Sequence, residues 1–159
     1  MSHIDILINN FNESAKSIQR YIIIACTISL TLFLLATIKD LKKISVLNLE
    51  VDAIPGLTIF LLLYIATGIM IAFQVHRLHD NLHNIDDDLI KKSLSLNPTV
   101  ACGSTTIRII ALSLPVALFG MAMDEAYNHA LKVVFMVSLF SIPYFIAAWH
   151  SINQEQYSH

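Results

Sequence analysis

The sequence predicts an all-α, polytopic integral membrane protein with four transmembrane helices, the first two extended beyond the bilayer as an antiparallel stalk. Three observations predict it. The chain is 55% hydrophobic and 14% charged with a mean hydropathy of +0.63, whereas about a quarter of the residues in an ordinary soluble domain are charged. Four apolar runs alternate with polar punctuation. Finally, Ile4, Ile8, Phe11, Ala15, Ile18 and Ile22, and again Ile71, Val75, Leu78, Leu82, Ile85 and Leu89, recur in alternating steps of four and three. That is the seam spacing of paired helices.

Met1 to Arg20 is read as a helix outside the bilayer, its polar face formed by residues such as Asn9, Asn12, Glu13 and Lys16. The polar lead is too long for a cleavable signal peptide. Tyr21 to Ile38 holds no charge and lies between Arg20 and Lys39. A hydrocarbon core of about 30 Å takes about 20 helical residues, so this run is the first span. Lys39 to Asp52 is a connector whose Ile44, Val46, Leu47 and Leu49 predict a short strand or interfacial turn, closed by Pro55 and Gly56.

Leu57 to Val75 is the second span. Its small Thr67–Gly68 pair would let another helix approach closely. The helix is predicted to continue unbroken through Lys92, and Ser93 to Thr106 to form a loop. The third span lies over 106–124, with Arg108 snorkelling towards headgroups. Asp124 to His129 makes a polar turn, and Leu131 to Trp149 is the fourth span. Tyr21, Tyr144 and Trp149 fall where aromatic belts sit. The whole of 1–159 is thus one membrane domain, with spans at about 21–38, 57–75, 106–124 and 131–149 and a stalk built from 3–20 and 75–92.

Lys16, Arg20, Arg77, Lys91, Lys92 and Arg108 fall on one side of such a topology, against Lys39, Lys42, Lys43 and Lys132 on the other. The positive-inside rule then puts both termini in the cytoplasm. The stalk's polar face carries Asp80, Asp86, Asp87 and Asp88, which anionic lipid would repel, so its apolar seam should pack on helices rather than on the membrane surface. Leu78, Leu82, Ile85 and Leu89 would pack in that seam, and Asp86, Asp87 and Asp88 would steer a basic partner.

His76, His79 and His83 share one flank of the second helix, and His150 ends the fourth span at comparable depth. Imidazoles from two helices are a common way to bind a transition metal, or to respond to pH. No other cofactor is indicated. Asp124, Glu125 and His129 offer a second trio, with Glu125 and His129 one helical turn apart. Pro115 and Pro143 free the carbonyls of Ala111 and Leu139, near Ser113, Ser138 and Ser141, and could form a hinge or a polar lining. Cys26 and Cys102 are read as unpaired thiols. Neither a nucleophile with its base nor a phosphate loop is present, so catalysis is not expected, and net charge -2 gives no footprint for nucleic acid.

With four spans, both termini inside, no catalytic set and a stalk that begins at Val75, the chain resembles the small four-span membrane subunits of bacterial defence systems such as Kiwa. The resemblance implies a protein that acts alongside a cytosolic one in antiviral defence. The expectation is a homo-oligomeric inner-membrane sensor or anchor presenting its stalk to a cytosolic partner. Alternatives are a pore lined by spans three and four, and a histidine-based metal carrier.

Overall fold

A computed structural model describes residues 3–38, 43–46, 49–127 and 129–153. Among the described residues the regular structure is helical apart from one short sheet. In order it forms α1 (His3–Ala36), β1 (Lys43–Val46), β2 (Leu49–Asp52), α2 (Ala53–His83), α3 (Asp88–Ser95), α4 (Thr105–Ala126), α5 (Ala130–Phe140) and α6 (Ile142–Asn153), with a 3-10 turn at Val100–Cys102. The connector between the first two helices therefore contains strands, paired antiparallel from Lys43 opposite Asp52 to Val46 opposite Leu49.

Three helices, α1, α2 and α4, are each long and apolar enough to cross a membrane. The bent pair α5 and α6 makes a fourth if it counts as one crossing. The expected single helix from Leu131 to Trp149 is thus two helices, whose axes differ by 56°.

α1 and α2 form the backbone of the fold. Along α1 the buried residues are Leu7, Phe11, Ser14, Ala15, Ile18, Ile22, Ala25, Ile28, Ser29 and Leu32, one stripe at helical spacing from the polar lead into the apolar run. The seam thus starts at Leu7, and Ile4 stays exposed. Along α2 the matching stripe is Tyr64, Thr67, Ile71, Gln74, Val75, Leu78 and Asn81. Inside the apolar run of α1, Thr27 and Thr31 hydroxyls donate to carbonyls four residues back, at 2.9 and 2.8 Å, so neither needs a partner from outside.

α6 lies against α2 at Gly68. A Cβ added there would stand 2.5 Å from Tyr144 Cε2 and 3.1 Å from Pro143 Cβ, so the small residue admits a ring from the neighbouring helix. The close approach expected from the Thr67–Gly68 pair is therefore spent within the chain. Tyr144 is buried beside α2, not placed in an aromatic belt. Its ring stacks on Tyr64 at 4.8 Å, and Tyr64 stacks in turn on Phe119 of α4 at 4.4 Å. Three rings from three helices form the centre of the core.

Candidate functional site

The residues proposed for partner contact lie where α2 leaves its apolar run. α2 ends at His83, about 12 Å beyond Val75 at 1.5 Å per residue, and the chain reopens as α3 at Asp88. The predicted rod to Lys92 is therefore broken. The cause is local: the Asp87 carboxylate accepts from the amides of Leu89 (2.8 Å) and Ile90 (3.2 Å) and caps a new helix. Three consecutive Asp residues carry this signal, because a short carboxylate competes with the helix for backbone amides.

The break redistributes the candidate residues. Leu78 and Ile85 are buried and Leu82 is half-buried against the same core, so these three hold the chain together rather than face a partner. Leu89 is 80% exposed, and Asp86, Asp87 and Asp88 are exposed beside it. Leu96, absent from the sequence-based set, is 76% exposed and caps the C-terminal end of α3, seven residues from Leu89. Its signal was the strong amphipathicity of Asp88–Ser95, whose inward residues are Ile90 and Leu94.

The segment after α3 folds back on α1. Asn97 Nδ2 donates to Asn12 Oδ1 at 2.7 Å, Arg77 donates to Asn10 Oδ1 at 3.4 Å, and Val100, Ala101 and Cys102 pack against the core. Burial pushes the Cys102 thiol above its usual pKa, with Thr99 and Arg108 opposing that shift. Among these elements Arg108 turns inward. It is buried and donates to the Ser151 carbonyl at 2.8 Å and to Thr105 Oγ1 at 3.1 Å. A guanidinium at the C-terminal carbonyls of α6 meets the negative end of that helix, and this replaces the expected snorkelling. Arg108, Ser151, Val75 and Ile18 line a crevice with about 10 Å³ of room, enough for about one water molecule.

Of the four histidines, the structure brings His76 and His150 together across α2 and α6, with ring centroids 5.9 Å apart and edge-on. His76 Nε2 also lies 3.3 Å from Asp80 Oδ2, and His150 Nδ1 lies 2.9 Å from the Ile146 carbonyl. His79 and His83 form a second pair at 6.5 Å. The four do not converge: among the described residues no group of three or more His, Cys, Asp or Glu side chains could hold a metal ion. Imidazoles along a straight helix flank look outward at successive heights, which separates the two pairs. Burial lowers the His79 pKa below the usual imidazole value, with Asp80 opposing and His83, His76 and His150 adding to the shift.

The second trio also disperses. α4 runs on to Ala126, so Asp124 and Glu125 end one helix while His129 precedes the next, and no single helical turn joins Glu125 to His129. Ser141, one of the serines assigned to a pore lining, is used inside the core, where its Oγ pairs with the Tyr64 hydroxyl at 3.0 Å, and Ser29, outside that set, donates from Oγ to the Pro115 carbonyl at 3.1 Å. Ser113 bonds the Ile110 carbonyl, not that of Ala111.

No protein-family model, curated protein or solved structure matches the chain.

Proposed function

We propose that this protein is a non-enzymatic, homo-oligomeric membrane anchor that presents the polar ends of α1 and α2, together with α3, to a cytosolic partner. One observation supports this reading above the others. α1 is a single helix of 34 residues, about 51 Å long, with one buried stripe along it. A bilayer core accounts for about 20 of those residues, so the remainder stands outside it, paired with α2. A helix pair of that kind holds α3 at a fixed height above the lipid. The excess of Lys and Arg on that side supports a cytoplasmic orientation, which in this reading is at an inner membrane. A role in antiviral defence rests on the resemblance to small defence-system membrane subunits.

The contact surface in this reading is Leu89 and Leu96, rimmed by Asp86, Asp87 and Asp88, which favours a basic partner with an apolar anchor. The test is cross-linking in intact membranes with Leu89→Asp/Leu96→Asp beside the unaltered chain. Both substitutions fall on exposed positions. The reading expects a defined cytosolic protein, identified by mass spectrometry, to be lost in the double variant and retained with Leu131→Asp, a control on the exposed face of α5. Equal recovery from all three would sink it.

A further inference from the structure

At the joint between α5 and α6 the backbone ladder changes register. The Ser141 amide still reaches the carbonyl four back, at Val137 (3.0 Å), but the Tyr144 amide takes the Ser141 carbonyl, three back, at 3.0 Å. Pro143 between them contributes no amide. The two helices on either side are held very differently. In α6, Tyr144 and Ala147 are buried, the Tyr144 hydroxyl donates to the Tyr64 carbonyl at 2.9 Å, and Pro143 and Tyr144 sit on Gly68. α5 has no buried residue. It meets α4 where Phe140 touches the edge of Phe119 at 6.5 Å and where Val137 nears Gly120, while Leu131 and Phe135 are 87% and 65% exposed.

At the corner itself sits Ser141, fully buried, with its hydroxyl 3.0 Å from that of Tyr64. We propose that Ser141 is a hinge pinned by the Tyr64 hydroxyl, and that α5 is a lever that swings about it while α6 stays clamped to α2. The pin is one hydrogen bond between two neutral hydroxyls. The lever from Leu131 to Ser141 is about 15 Å long, so closing the 56° bend carries its tip through about 14 Å. One end of this device bears the turn that follows α4. The other bears His150 against His76 and Ser151 beneath Arg108. The device does not depend on the docking reading.

Nitroxide labels at Leu62→Cys on α2 and Leu131→Cys on α5, with Cys26→Ala and Cys102→Ala, report the lever by pulsed electron resonance on the full chain in lipid nanodiscs. With Tyr64 and Ser141 in place, a single narrow distance distribution is expected. Tyr64→Phe and Ser141→Ala remove the same bond from opposite sides, and each should add a second population displaced by several ångströms, up to about 14 Å. An unchanged single population in both variants overturns the proposal. So does a change in only one of the two variants, since the bond that both remove would then not be its cause.

Discussion

α5 and α6 are neighbours in sequence and similar in length, yet α6, the less apolar of the two, is built into the molecule and α5 lies along its edge. α6 places Tyr144 in the ring stack, Pro143 and Tyr144 on Gly68, and Ser151 under Arg108. α5 leaves Val134 and Phe135 more than 60% exposed and buries none of its residues. Apolar character does not explain this, because the more apolar helix is the less buried one. In a bilayer the lipid is as apolar as a leucine, so attachment depends on close packing and on polar groups that find partners, and α6 has both. The two prolines teach the same lesson. Pro115 lies inside an unbroken α4, where its carbonyl receives the Ser29 hydroxyl, whereas Pro143 opens a helix whose axis has turned by 56°.

The contrast can be broken most severely at Gly68. Leucine there has no room against Tyr144 and Pro143, and forcing α6 away should cost about 3 kcal/mol or more. Unfolding in mixed micelles should show that loss, while Leu at Gly120, where a Cβ would have 3.8 Å to Val137, should be far milder. Phenylalanine gives the next comparison. Phe119→Ala empties the centre of the stack and should cost about 3 kcal/mol, whereas Phe135→Ala on α5 should stay within about 0.5 kcal/mol. Equal losses would mean that α5 is buried in the working protein, and that the difference between the helices belongs to the isolated chain.

Arg108→Gln removes the guanidinium from the Ser151 carbonyl inside a buried site. A loss of about 1.5 to 2 kcal/mol is expected, with earlier hydrogen exchange in the last turn of α6 than in α2. The smallest effect concerns His79. Its folded pKa lies below 6.5, so as pH falls the unfolded chain takes up the proton first. Its contribution to stability is whole above about 6.5 and is lost as pH drops through the folded value. Stability measured from pH 7.5 to 5 should therefore decline, and His79→Gln should flatten part of that slope. A decline unaltered by the substitution would assign it to other groups.

Much of the frame was legible because burial follows periodicity. The steps of three and four through Phe11, Ala15, Ile18 and Ile22, and through Ile71, Val75 and Leu78, mark the faces that α1 and α2 turn to the core. The same rule failed past His83, because spacing continued in Ile85 and Leu89 while the backbone did not. Ile85 tucks into the core from a turn and Leu89 points outward from a new helix. The three aspartates held that information, but as capping chemistry rather than as periodicity.

Sequence by itself determined which runs are apolar enough for a membrane, that α1 carries one continuous stripe, and that Gly68 invites a close neighbour. These follow from residue type and local spacing. Tertiary structure decided that Tyr144 is the neighbour, that Arg108 turns inward to a helix end, that His76 meets His150 without a third ligand joining them, and that α5 stays at the edge. Each of these depends on which distant side chain lies opposite, and that is set by how the helices pack against one another.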